Sequence, residues 1–280
     1  MGKQNDKAAL RSLEYWRAYP FASPLSQAVV DGDMKSFKAA LLQGENPNQE
    51  EKEGRCPAEL AVEFESCEAL GLLLEAGAGH FACRFGNNHG FPLAALAASG
   101  GWEEGLDILK ADGAQMYSKD FVGFRSPLRS AIVYNQCQCV KKLVDWGAAA
   151  EPWGSHWDQG GHAPMAHCAM SGRVKLARIL HAANPDLIGA PSDNGLRPVH
   201  FAAINSQLDF LSWLDGSGAD MSVLDDMGKS ASAHAQKNGK KKVVHVLAGI
   251  AARLEAKAME SVLEGSGAGT FAVKKAKPRI

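Results

Sequence analysis

The chain has 280 residues, of which 46% are apolar and 22% are charged, a composition that suits one or two globular domains. Its formal net charge of −1 provides no general basic field, so nucleic-acid binding would require a local basic patch and we expect no nucleic-acid partner. No uninterrupted apolar run reaches the 18 residues typical of a membrane-spanning helix, so we expect no transmembrane segment and no membrane partner.

The N-terminal segment 1–22 predicts a short capping helix. Residues 7–19 place Leu10, Leu13 and Trp16 on one side of an amphipathic helix. The segment lacks the apolar stretch and the cleavage site of a signal peptide. The six cysteines show no disulfide-framework spacing, so we predict a cytoplasmic protein with reduced thiols.

From residue 24 onward, proline recurs at a regular interval. The prolines are Pro24, Pro57, Pro92, Pro127, Pro164 and Pro198, separated by 33, 35, 35, 37 and 34 residues, and Ala231 takes the next place. Proline in the first turn of a helix sacrifices no hydrogen bond, so each of these positions predicts a helix start. Eight residues later the pattern predicts a helix break, at Gly32, Glu65, Gly100, Asn135, Gly172, Ser206 and Gly239.

Three further positions keep the same period. A second helix is predicted to end at Gly44, Gly77, Gly113, Gly147 and Gly218. An apolar residue of that helix recurs as Phe37, Leu70, Val140, Ala177, Leu211 and Val244, with Leu106 one place late. Small residues follow the prolines by four places at Ala28, Ala61, Ala131, Cys168, Ala202 and Ala235, with Leu96 as the exception. Small side chains let neighbouring helices approach closely, and we attribute the irregular third copy to an extra residue at Gly100 and Gly101.

The clearest copy, 193–220, opens its first helix with Arg197, Pro198, Val199 and His200. It resembles the ankyrin repeat, whose T-P-L-H-x-A core opens a two-helix unit of about 33 residues. The resemblance covers residues 21–254 and implies an all-α repeat solenoid of stacked helix-turn-helix units with short β-hairpin or loop fingers. It also implies a structural hydrogen-bonding role for His200.

The resulting domain prediction has three parts. Residues 1–22 form the capping helix, 23–254 form the array, and 255–280 form an extended last helix with a flexible basic tail. The repeats are predicted to start near residues 23, 56, 91, 126, 163, 197 and 230.

The connection 151–163 departs most from the period and carries Trp153 and Trp157. Tryptophan is enriched at binding hot spots, and loops on a rigid scaffold carry such residues, although the indoles could instead fold back on the neighbouring repeat. A histidine-rich group spans this connection and the next helix, at His156, His162 and His167. Its spacing matches no common zinc finger, so we predict neither a metal nor a cofactor.

The resemblance implies that a protein partner docks in a concave groove formed by the fingers and the exposed side of the first helices. The residues predicted to bind the partner, including the two tryptophans, are Arg55, Glu63, Phe64, Asn88, His89, Phe124, Arg125, Tyr134, Trp153, Trp157, His162, Met170, Leu196 and Asn205. Aromatic, Arg and Met side chains are typical of interface cores. The acidic residues Glu59, Glu63, Glu65 and Glu68 are either a solvated face or an acidic patch on the concave side.

The sequence contains no Gly-rich phosphate loop, no H-E-x-x-H and no G-x-S-x-G, so we predict that the chain is not an enzyme. We predict a monomeric protein–protein interaction module that acts by stoichiometric binding. One hypothesis is an inhibitor such as an immunity protein that neutralises a bacterial toxin domain. Others are a scaffold, adaptor or host-directed effector with several partners, and a metal-dependent enzyme that uses the region of His156, His162 and His167.

Overall fold

The computed structural model describes residues 19–52, 54–82, 91–116, 126–148 and 163–265, and these ranges are mostly helical. Fourteen α-helices occur there and form seven consecutive pairs. The pairs are α1 (Pro24–Asp31) with α2 (Met34–Leu42), α3 (Pro57–Glu63) with α4 (Cys67–Glu75), α5 (Leu93–Gly100) with α6 (Glu103–Ala111), α7 (Pro127–Val133) with α8 (Cys137–Asp145), α9 (Pro164–Ser171) with α10 (Val174–Ala183), α11 (Pro198–Ile204) with α12 (Leu208–Gly216), and α13 (Ala231–Lys237) with α14 (Lys241–Gly265). The predicted all-α architecture is confirmed.

Short extended segments join some of the pairs. Strand β1 (Phe81–Ala82) is antiparallel to β2 (Phe91–Pro92), with Phe81 opposite Pro92. An isolated bridge between Leu224 and Ser230 closes the turn before α13. These are the fingers that the sequence predicts, and the described strands are two residues long.

The first helix of each pair begins where the local sequence favours a helix start. Proline occupies the first turn of α1, α3, α7 and α11, where its missing N–H would have no partner within the helix. A serine side chain caps α1, α7 and α13, and the Ser230 hydroxyl accepts a hydrogen bond of 3.2 Å from the Ala233 N–H.

Each pair reverses direction at one residue with positive φ. These residues are Gly32, Glu65, Gly101, Asn135, Gly172, Ser206 and Gly239, with φ between 53° and 88°. Just past the break, a backbone N–H donates to the carbonyl of the small residue in the first helix, as from Ser66 to Ala61 at 2.9 Å and from Gln207 to Ala202 at 2.9 Å. This is the hydrogen bond that ends many helices at a left-handed residue, and it fixes where the second helix begins.

The third repeat requires a correction. Pro92 is the N-cap of α5 rather than its first residue, so the helix begins at Leu93 and breaks at Gly101, not at Gly100. Counted from Leu93, Ala97 takes the place of the small residue, and the apparent exception at Leu96 disappears. The extra residue therefore lies before α5 and not at the break.

The chain divides into two compact units, Met1–Cys168 with Lys175–Leu187 and Ala169–Val174 with Ile188–Ile280. In the first unit α1 packs on α3, α3 on α5 and α5 on α7, while α4 packs on α6 and α6 on α8. In the second unit α11 packs on α13 and α12 on α14. The small residues Ala28, Ala61, Ala97, Ala131, Cys168, Ala202 and Ala235 are all buried. Close helix approach through small side chains thus builds the apolar interior.

Other predictions fall partly or wholly outside the described residues. The capping helix and the basic tail do so, as does the connection that carries Trp153 and Trp157. Among the described cysteines, Cys67, Cys137 and Cys139 are free thiols, and burial raises the pKa of the Cys139 thiol to about 11. No helix in the described ranges has both the length and the hydrophobicity needed to cross a bilayer.

Candidate protein-binding surface

Three helices of the first unit, α3, α5 and α7, each open a helix pair. An aromatic residue lies at the end of α3, a glycine at the end of α5 and an aromatic residue at the end of α7. Phe64 and Tyr134 directly follow α3 and α7, and Gly100 is the corresponding residue of α5. Tyr134 is 62% exposed, and a side chain added at Gly100 would meet no atom within 4 Å. Because packed helices lie 8–10 Å apart, the two aromatic residues are separated by about 20 Å with a gap at Gly100 between them. We call this surface the aromatic stripe.

Arg55 and Glu63, two of the predicted binding residues, lie at opposite ends of α3. The Arg55 guanidinium donates to the Glu63 carboxylate and forms an ion pair with it. Each side chain is therefore held along the helix in a fixed direction. Glu63 directly precedes Phe64, so this pair adds a polar edge to the aromatic stripe.

In the second unit, residues 224–230 form a rigid finger that ends at α13. The Asp225 carboxylate accepts hydrogen bonds from the N–H groups of Met227 at 2.9 Å and Lys229 at 2.8 Å. The Asp225 N–H in turn donates to the Lys229 carbonyl at 3.0 Å. These bonds, led by the one from the Lys229 N–H, hold the pKa of the Asp225 carboxyl below its usual range.

The finger displays apolar side chains despite its polar framework. Leu224 is 56% exposed and Met227 is 72% exposed. Sequence reasoning missed both residues, because nothing in the sequence alone distinguishes them from core residues. Exposed apolar residues on a fixed backbone are suited to contact a partner without a large loss of conformational entropy.

Two histidines tie this finger to the first helices. The His234 Nε2–H donates a hydrogen bond of 2.7 Å to the Asp225 carboxylate, and the His200 Nε2 lies 3.2 Å from the Lys229 carbonyl. The Nδ1 of His200 accepts from the Arg197 N–H at 3.0 Å. The structural hydrogen-bonding role predicted for His200 is confirmed.

The remaining predicted binding residues within the described ranges have varied environments. Met170 and Leu196 are half-buried, and the Met170 carbonyl accepts a hydrogen bond of 3.0 Å from the Gln207 side chain. Asn205 is exposed, but its amide donates to the Phe201 carbonyl at 2.9 Å. The predicted residues outside the described ranges are Asn88, His89, Phe124, Arg125, Trp153, Trp157 and His162.

The hypothesis of a metal site centres on His156, His162 and His167. The first two lie outside the described ranges, whereas His167 is half-buried on α9. Within the part of the chain that the structure describes, no three His, Cys, Asp or Glu residues lie close enough to hold a metal ion.

The free energy of unfolding should decrease as the pH is lowered from 7.5 to 5.5, because of His200. Burial, reinforced by the nearby His234, lowers the pKa of His200 in the folded chain, although the Lys229 carbonyl and Asp225 oppose this shift. The unfolded chain gains a proton near pH 6.5, so the stability present above that pH is lost as pH falls toward the lower pKa of the folded chain. Urea unfolding at pH 7.5 and pH 5.5 should show a smaller decrease in the free energy of unfolding for His200→Gln than for the wild type.

A matched substitution at His245, which is exposed on α14, controls for the loss of a histidine. Between the two pH values, His245→Gln should lose as much free energy of unfolding as the wild type does. If His200→Gln also lost as much as the wild type, the role given to His200 would be wrong.

Helix pairs that reverse at one left-handed residue, stack through small side chains and are joined by short fingers define a tandem-repeat protein. The particular class that they resemble is the ankyrin repeat. The family model described as ankyrin repeats in many copies matches residues 165–214. The predicted resemblance to the ankyrin-repeat family and the predicted solenoid fold are confirmed.

Solved structures support the fold over a longer part of the chain. The ankyrin-repeat domain of Bcl-3, a member of the IkappaB protein family, is similar with a TM-score of 0.65 and 22% identity, covering 80% of this chain and 97% of that one. The human ASB11 ankyrin-repeat domain is similar with a TM-score of 0.64 and 22% identity, covering 81% and 97%. No curated protein matches the sequence. Ankyrin repeats indicate a protein–protein interaction module.

Proposed function

We propose that the chain binds one protein partner stoichiometrically and inhibits it by occupancy. The observation that carries this proposal is the finger 224–230, where Leu224 and Met227 are exposed on a backbone locked by Asp225. A locked contact surface loses little entropy on binding, which favours one tight complex over many weak ones.

The aromatic stripe supports the same function in the first unit. Tyr134 combines a large apolar ring with a hydroxyl, and residues of this kind often dominate binding energy. The gap at Gly100 leaves space for a partner side chain between two aromatic residues. The ion pair of Arg55 and Glu63 then provides a polar rim, which is the usual surround of an interface core.

The partner that we propose is a toxin domain, which would make this chain an immunity protein of the cytoplasm, monomeric until it meets its target. Occupancy alone is sufficient for that task, since a toxin is neutralised when its active or receptor-binding surface is covered. The predicted binding residues, including Trp153 and Trp157, remain part of this proposal.

Capture from a lysate of the cells that produce the protein tests the proposal. We expect one dominant chain, bound in a one-to-one complex, whose toxic activity is lost on binding. Leu224→Asp with Met227→Asp should weaken the complex by about 100-fold, because loss of two apolar hot-spot residues costs about 3 kcal/mol or more. Titration calorimetry on the purified pair measures this change.

The control places the same two aspartates at Met259 and Val262 of α14, which are 70% and 68% exposed. Affinity should then stay within about twofold, since those residues lie outside the finger. Many weakly bound chains, equally retained by both variants, would show a scaffold instead of an inhibitor. A single partner without toxic activity would leave binding intact and refute the immunity role.

A further inference from the structure

The last repeat carries a concentration of positive charge that the overall charge of −1 conceals. Between Met227 and Leu254 there are six Lys or Arg residues and no Asp or Glu. Four of the six surround the turn between α13 and α14, at Lys237, Lys240, Lys241 and Lys242. All four are exposed, and none of them forms an ion pair with another described residue. We call these four residues the lysine patch.

The position of the lysine patch is unfavourable for folding. Lys241 and Lys242 begin α14, and the first turn of this helix contains no acidic residue. A helix N-terminus carries partial positive charge, so cations there destabilise the helix and also repel one another. A solvated end cap needs polar residues, but it does not need three consecutive lysines. Residues that break a local rule without a visible structural gain often serve function.

The surface around the patch also contains depressions and is partly apolar. Two depressions of about 450 Å³ and 400 Å³ share Gly239, Lys240 and Lys241 in their walls. Val244 and Ala248 line the first depression, and Leu208 lines the second. A side chain added at Gly239 would meet no atom within 4 Å, so the floor between them is open.

We infer that the lysine patch docks an acidic, amphipathic segment of a protein partner. Its carboxylates would pair with the lysines, and its apolar side chains would enter the depressions beside Val244 and Leu208. Single-stranded nucleic acids are held by aromatic stacking as well as by positive charge, and neither depression is lined by Phe, Tyr or Trp, the ring residue there being His245. An acidic peptide therefore fits this surface better than a nucleic acid does.

The patch is separate from the finger 224–230. The two lie at opposite ends of α13, so a partner can contact one without the other. The inference thus extends beyond the proposed inhibitory surface, and each can fail without the other.

Fluorescence anisotropy with the full chain and a labelled amphipathic peptide tests the inference. The probe is about 15 residues long, with glutamates on one helical face and leucines on the other. Lys240→Glu with Lys241→Glu and Lys242→Glu should weaken binding by about tenfold or more. The same chain should unfold at an equal or higher temperature, because carboxylates are favourable at a helix N-terminus. Loss of binding therefore cannot be attributed to unfolding.

The matched control reverses three exposed lysines elsewhere, as Lys35→Glu, Lys141→Glu and Lys175→Glu, and gives the same change in net charge. It should bind the peptide as the wild type does. A peptide with glutamine in place of glutamate should bind weakly to the wild type, the patch variant and the control variant. Polyglutamate, which lacks the apolar face, should also bind weakly to all of them.

Three results would overturn the inference. The patch variant could bind the peptide as well as the wild type does, or the control variant could lose as much affinity as the patch variant. Single-stranded DNA or vesicles containing phosphatidylserine could also bind more tightly than the peptide and lose that affinity in the patch variant, which would assign the surface to a different anion.

Discussion

Gly105→Ala is expected to lower the free energy of unfolding by about 3 kcal/mol, whereas Gly71→Ala should raise it by about 0.5–1 kcal/mol. Both glycines lie inside second helices, in α6 and α4. Alanine normally stabilises such a position because it restricts the unfolded chain and favours the helix. The opposite signs come from the surroundings of the two residues.

The Trp102 indole lies directly against the backbone of Gly105. A β-carbon at Gly105 would come within 2.1 Å of one ring carbon of Trp102 and 2.5 Å of two others. Trp102 is buried, so its rigid ring has little room to move aside. At Gly71 no heavy atom lies within 4 Å of the added carbon.

Urea unfolding of the two alanine variants and the wild type measures both effects. The penalty at Gly105 should shrink in a Trp102→Leu background, and the double-mutant cycle gives the coupling free energy of the two residues. If Gly105→Ala stabilised the chain as Gly71→Ala is expected to do, the placement of the indole would be wrong.

The repeat frame was predictable because it depends on backbone requirements written locally in the sequence. Proline marks a helix start whatever surrounds it, and a helix break demands a residue that tolerates positive φ. Glu65, Asn135 and Ser206 adopt positive φ although none is a glycine, and their place in the period identified them. Periodicity here was more informative than residue type.

The third repeat departs from this pattern, because its proline precedes the helix instead of opening it. Proline fits an N-cap as well as the first helical position, so Pro92 by itself could not fix the frame. Ala97, Gly101 and Leu106 together would have fixed it, since a shift of one residue restores all three to their regular places.

The candidate site was less predictable than the fold, because side-chain direction and exposure depend on three-dimensional context. The ion pair of Arg55 and Glu63 was not predictable, because the two residues are eight apart and helical side chains regularly meet at spacings of three or four. The exposure of Leu224 and Met227 was not predictable either, because it depends on how Asp225 folds the finger. Apolar residues in a sequence indicate the core more often than an interface.

Ala97→Leu provides the second large effect, an expected loss of about 3 kcal/mol in the free energy of unfolding. Ala97 is buried on α5, which packs against α3 on one side and α7 on the other. Its carbonyl also accepts hydrogen bonds from the N–H groups of Gly101 and Trp102, each 3.0 Å long, so the backbone there cannot shift freely. A larger side chain must therefore separate α5 from a neighbouring helix.

Ala39→Leu on α2 is the matched control, because Ala39 is exposed and the same atoms are added there without burial. Its effect should stay within about 0.5 kcal/mol of zero. In a repeat array each unit is stabilised by its neighbours, so separating α5 from α3 or α7 should also make unfolding less cooperative. A lower slope of free energy against urea for Ala97→Leu, but not for Ala39→Leu, would show this loss of coupling. If Ala97→Leu instead stabilised the chain, the added apolar area would be filling free space, and the close approach of first helices through small residues would not be what holds this unit together.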